Sequence, residues 1–140
     1  MIDNRTAPYA ALVLRVALGV MFLAHSLYLK VFVFTVPGTV GFFESLGLPA
    51  AAAYLTIAAE IAGGIALILG FQTRLVALAL IPVLLGATWV HSGNGWLFTA
   101  QGGGWEYPLF LTVAAAVQAL LGSGAYAVKG PAFLGHKVPA

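Results

Sequence analysis

Four stretches of this chain run for about twenty residues with an apolar side chain at nearly every position, long enough to cross a hydrocarbon core of ~30 Å as a helix. They fall at residues 8–34, 49–70, 73–91 and 105–122. The first is expected to stop at "TVPG", where Pro37 has no N–H to give and Gly38 permits a turn. The second is expected to open at Pro49 and to close on Gly70 as its C-cap. The third contains Pro82, which inside a bundle kinks a helix without ending it. The fourth begins at Trp105, and "LLGSG" follows it.

Composition agrees with these runs. Charged residues make up 7% of the 140 residues, against about a quarter in soluble domains, and 61% are hydrophobic. The expected fold is therefore all-α, an integral membrane bundle of four transmembrane helices, with residues 1–140 forming a single membrane domain and the lipid bilayer its surroundings. Arg15 interrupts the first run, so this segment is expected to be retained and not cleaved as a signal peptide. There is no cysteine, which excludes disulfide exchange, cysteine-ligated zinc, iron–sulfur clusters and thioether-linked haem. No basic cluster carries interleaved aromatics, so nucleic acid is not an expected partner.

The connections are short. "GTVGFFESLGL", between spans one and two, reads as an interfacial turn or short helix against the bundle. "SGNGWLFTAQGGG", between spans three and four, is Gly-rich and uncharged, with Trp96 and Trp105 as interface residues. It lacks the flanking strand and the Lys of a phosphate loop and reads as a lid or a plain loop. With four spans both termini share a side, and that side holds Arg5, Arg74, Lys129 and Lys137, while the other has Lys30 offset by Glu44 and Glu106. The expected location is a bacterial cytoplasmic membrane, multi-pass, with both termini cytoplasmic.

Helix geometry gives each ionisable residue a depth. Arg15 lies ~9 Å into span one and Glu60 about ten residues into span two, near the bilayer middle. Arg15, Gly19, Phe22 and Ser26 share one face; Ala53, Thr56, Glu60, Gly63, Gly64 and Leu67 share another, small and polar enough for close approach. Arg15 and Glu60 are expected to meet, either as a structural ion pair or as part of a cavity in which Glu60 carries a proton or contacts a ligand.

A second group lies towards the outer face, with His25 ~24 Å into span one, His91 ~26 Å into span three, Glu106 opening span four and Lys30 one turn beyond His25. Two imidazoles and a carboxylate at one depth can bind a metal, ligate haem through the histidines, or hold and protonate a quinone-like head group. Against these stands simple wetting near the interface. A His-x-x-x-His pair is absent, so the metal signal is weak. Tyr107 and Tyr126 read as interface anchors, the Phe-rich "KVFVFTV" as lipid-facing surface, and His136 and Lys137 as a polar tail without a site.

In order and spacing, "LRVALGVMFLAHSLYLK", "FFESLGLP", "AEIAGGIALILGFQTR", His91 and "GGWEYPL" resemble the DoxX family of small bacterial membrane proteins, over residues 12–126. The resemblance implies a four-helix membrane bundle in which Arg15, His25, Lys30, Glu60, Arg74, His91 and Glu106 hold the family's recurring polar positions. Some relatives are described as subunits of a thiosulfate:quinone oxidoreductase, and others accompany membrane redox or detoxification systems. Two departures stand out. Ser26 occupies a position where many relatives have Gly, and "GSGAYAVK" puts Lys129 where an acid is usual. The expected function is a redox-associated membrane component that binds a quinone or similar small aromatic ligand near the outer face, as part of a larger membrane redox complex or a homo-oligomer. A non-catalytic accessory or assembly subunit is the alternative, and a small-solute transporter a more distant one.

Overall fold

Pro8 sits in the first turn of the first helix, where its missing N–H costs nothing, and the apolar run behind it stays helical for 27 residues in two geometries. In this computed structural model, which describes residues 3–128, α1 spans Ala7–Leu23 and continues directly as a π-helical segment, Ala24–Val33. Then come α2 (Val36–Ser45), α3 (Ala50–Leu69), α4 (Thr73–His91), a short 3₁₀ turn (Ser92–Asn94) and α5 (Glu106–Leu121). Lys129, His136 and Lys137 lie outside the described residues.

The all-helical membrane architecture is as expected. Among the described residues three helices, Ala7–Val33, Ala50–Leu69 and Thr73–Asn94, are long and apolar enough to cross a membrane. The fourth, α5, has 16 residues and at ~1.5 Å per residue falls short of a full hydrocarbon core. It lies antiparallel to α4 and packs closely on it. α4 runs unbroken through Pro82, and the predicted short helix between spans one and two is α2, which lies against α3 and the π segment.

α1 and α3 cross at glycine. A Cβ on Gly19 would stand 2.6 Å from the Gly64 carbonyl oxygen, and one on Gly64 2.9 Å from that of Gly19, so the two backbones touch. Gly63, one residue away, admits the Leu80 side chain of α4 in the same manner. Around these contacts Leu18, Phe22, Leu67, Ala77, Leu80, Leu84, Ala114 and Ala115 form the core. Large apolar residues such as Val13, Leu55, Phe110 and Leu120 stand outward, as a lipid-facing surface requires.

α3 ends in a Schellman motif, with Phe71 N–H donating to Ala66 C=O and Gly70 N–H to Leu67 C=O, and Gly70 at φ +75°. The carbonyls left over are taken by the rest of the chain. Val128 N–H donates to Leu69 C=O, and Leu67 and Ile68 C=O accept from Arg15.

Candidate functional site

The predicted faces of α1 and α3 are buried as expected, yet Arg15 and Glu60 do not meet. Side chains on a helix lean towards its N-terminus, and α1 and α3 are antiparallel. Arg15 therefore leans towards the C-terminal end of α3, while Glu60 leans the opposite way, towards the start of its own helix. The expected pair is replaced by two separate arrangements.

Arg15 is 1% exposed and meets only backbone. Its Nε donates to Ser123 C=O at 2.9 Å, Nη1 to Leu67 C=O at 3.0 Å and to Ile68 C=O, and Nη2 to Ala125 and Tyr126 C=O at 2.9 and 3.1 Å. A guanidinium has five N–H groups, and each has found a carbonyl. The negative end of the α3 dipole lies at the same place. Arg15 thus fastens the chain after α5 to the end of α3.

Glu60, 6% exposed, accepts from Lys30 Nζ at 2.5 Å, the one ion pair among the described residues. Lys30 belongs to the π segment and leans back along it towards mid-bundle, so it does not cap the histidine cluster as its position one turn beyond His25 suggested. Ser26, 0% exposed, donates to Ile57 C=O at 3.1 Å beside this pair, and Thr39 of α2 donates to Lys30 C=O at 2.8 Å.

His25, His91 and Glu106 lie towards the other mouth of the bundle, and the residue that touches His25 is Tyr107, which the sequence suggested as an interface anchor. The His25 ring packs on Tyr107 with centroids 5.7 Å apart. Its Nδ1 lies 2.9 Å from Met21 C=O, and because a carbonyl only accepts, Nδ1 carries the proton and Nε2 is left as the acceptor. His91 ends α4 beside Gly103, and its Nδ1 is buried with no hydrogen-bond partner. The Tyr107 hydroxyl is buried and equally without one. The signal for Tyr107 was its place next to Glu106 at the start of a helix that packs on the histidine-bearing ones.

Glu106 and the Tyr107 ring stand at one end of a lateral groove of ≈ 440 Å³. Its other walls are Trp96, Phe98, Leu109, Phe110 and Val113. The volume lies in the range of small-molecule sites. Glu106 Oε1 accepts from Phe98 N–H at 2.8 Å, which aims one oxygen at the loop. That loop is no free lid. Asn94 Nδ2 donates to Gly102 and Gly103 C=O, Trp105 N–H to Gly95 C=O, Glu106 N–H to Trp96 C=O, and the Trp96 and Trp105 rings meet edge to face at 4.5 Å. A Cβ on Gly104 would lie 2.1 Å from Leu97 C=O, so this glycine is required by the fold of the loop. Among the described residues no three His, Asp or Glu side chains come together as a metal-ligand set.

The DoxX family model matches residues 10–93, a span that holds Arg15, His25, Lys30, Glu60 and His91 and stops short of Glu106 and Tyr107. Among curated proteins the chain is similar to "Putative oxidoreductase CatD" of Bacillus subtilis (strain 168), 36% identical over 84 residues, which make up 60% of this chain and 60% of that protein. No solved structure gives a significant match.

Proposed function

This chain belongs to the DoxX family, and from that premise we propose that it is a redox-associated component of the bacterial cytoplasmic membrane that binds a quinone or similar aromatic ligand in the groove at Glu106 and Tyr107. The observation that carries the proposal is the Tyr107 hydroxyl, buried without a partner in a residue that both walls the groove and supports the His25 ring. A buried hydroxyl left unsatisfied costs about 1–3 kcal/mol. A ligand carbonyl oxygen that reached it from the groove would accept its hydrogen bond.

The residues fit such a ligand. Trp96, Phe98 and Phe110 offer aromatic faces for a planar ring, and the α5 face from Glu106 through Phe110 to Val113 continues ~10 Å along the helix as an apolar track for a tail. When bound, a quinone supplies a two-electron acceptor. The protein's part is to orient it and to handle protons: the Tyr107 hydroxyl donates a hydrogen bond, the second Glu106 oxygen exchanges a proton with the reduced ring, and His25 and His91, outside the groove lining, are the further proton-exchange groups at the same mouth. The oxidoreductase name of the Bacillus relative supports the redox class of this proposal, with the chain spanning 60% of that protein's length.

The test is binding of a decyl-tailed benzoquinone to purified protein in nanodiscs, read by quenching of Trp96 and Trp105 fluorescence. Saturable binding in wild type, weakened at least roughly tenfold by Tyr107→Phe or His91→Ala with the helical circular dichroism unchanged, is the expected result. Absence of saturable binding, together with co-purification of the empty chain with a larger enzyme, would replace the proposal by the accessory-subunit role.

A further inference from the structure

The segment Ala24–Val33 poses a question that its sequence does not answer. It reads AHSLYLKVFV, with no Pro and no Gly, yet it is wound as a π-helix for ten residues, where such bonding elsewhere is mostly confined to a single turn. The Phe34 N–H to Leu29 C=O bond, 2.7 Å, closes it in i→i+5 fashion. Nothing local demands this register, so something outside the segment must hold it. Three side-chain bonds do so: Ser26 to Ile57 C=O, Thr39 to Lys30 C=O, and Lys30 to Glu60. Only the last joins two charges, and it lies where a low dielectric makes attraction strongest.

A second sign that the register is imposed lies just downstream. Thr35 has φ +63° and ψ 157°, a conformation that is nearly the preserve of glycine and that a β-branched residue adopts only when its surroundings require it.

The register has a geometric result. In an α-helix, residues five apart point about 140° away from each other. Where bonds run i→i+5 each turn takes more residues, so the residue five along lies much nearer the face of the first; Lys30 can then meet Glu60 while His25 meets Tyr107. Exposure begins at Leu27, lapses over residues 29–31 and begins again at Phe32, five residues on, to continue through Thr35. Unwinding to α geometry would swing His25 and Lys30 apart, and the His25 ring would leave Tyr107.

We propose that the Lys30–Glu60 ion pair holds residues 24–33 in the i→i+5 register and thereby sets the His25 ring on Tyr107, which makes Lys30 and Glu60 positioning residues for the ligand groove. The link to a ligand rests on the function proposed above; the link to the register does not.

The chain has no cysteine, so single cysteines can be placed at positions 27–29 and 31–34 and labelled with a nitroxide. Collision with dissolved oxygen, read by electron paramagnetic resonance in nanodiscs, reports which positions face lipid. Wild type should be accessible at 27–28, protected at 29 and 31 and accessible again from 32, with five residues between the two onsets. Glu60→Gln, and the uncharged double variant Lys30→Met/Glu60→Gln that strands no charge if the single change does not fold, should contract the spacing to three or four. The same variants should lose the nuclear Overhauser contact between the His25 and Tyr107 rings and weaken the decyl-benzoquinone probe at least roughly tenfold. Lys30→Arg, which keeps the charge, should preserve all three. A folded variant without the pair that retains the five-residue spacing or the ring contact overturns the proposal, even if its melting temperature falls. If wild type binds no benzoquinone, the proposed function fails by itself, and the spacing and ring contact still decide whether the pair holds the register.

Discussion

Arg15 and Glu60 show what a sequence reveals about a buried charge and what it hides. Their faces and depths were legible from the 3.6-residue period, but their partners were not, because depth was counted along the backbone and on antiparallel spans the two side chains lean opposite ways. Arg15's partners are also carbonyls, which every residue carries and no motif marks. The corrected pairing has measurable consequences. In a thermal-unfolding cycle, Arg15→Lys and Glu60→Gln should add to within ~0.5 kcal/mol, since the two residues share no partner. Lys30→Met and Glu60→Gln should instead couple by ~1 kcal/mol or more, the double change being milder than the sum because neither single charge is left stranded. Arg15→Lys alone should cost on the order of 3 kcal/mol, because three ammonium protons on a point charge cannot reach five carbonyls arranged for a planar fork. A loss below ~1 kcal/mol would mean that water, and not the guanidinium, satisfies most of those carbonyls.

At the scale of elements, the helices were legible wherever hydropathy decides and obscure wherever tertiary bonds do. Pro49, Gly70 and "TVPG" marked boundaries within a residue or two of those observed, because proline and glycine act locally. The π segment left no trace, since its register is chosen by Ile57, Glu60 and Thr39, which stand on other helices. Of the two readings of the Gly-rich loop, lid or plain loop, the bonds favour the second: Gly104 serves close packing and Asn94 ties the loop together. Thr35 gives this scale its prediction. Its backbone conformation costs about 1–3 kcal/mol, while the cap it offers, a 3.3 Å bond from Gly38 N–H, is long and exposed. Thr35→Gly should therefore leave the protein as stable as before or raise its melting temperature, which a thermal scan of the purified variant measures. A clear destabilisation would show that the strain belongs to the fold's optimum.

For the whole molecule, the bundle was read from four apolar runs, and its membrane nature and helical class follow from length and charge alone. The fourth run, read as 105–122, is shorter by one residue at each end, where the hydrogen bonds of the loop and of Gly122 close α5 at 16 residues. We propose that residues 1–140 form one domain with both termini cytoplasmic. The mouth that holds Arg5 and Arg74 also receives the start of α1 and the end of α5, whereas Glu44 and Glu106 lie at the other. A periplasm-active phosphatase fused after Lys137 should be silent, and one inserted at Gly102 should be active; the reverse pattern would invert the orientation.

The Arg15 clamp also sets an order on how this chain can be made. When α1 leaves the ribosome its guanidinium enters the membrane with no acceptor in sight, and the end of α3 answers only two of its five donors. The other three wait for Ser123, Ala125 and Tyr126, which are synthesised after every helix among the described residues. A product cut short before Ser123 would carry all its apolar spans and still hold a half-satisfied cation in the bilayer. Synthesis past Tyr126 is thereby written into the electrostatics of the first helix.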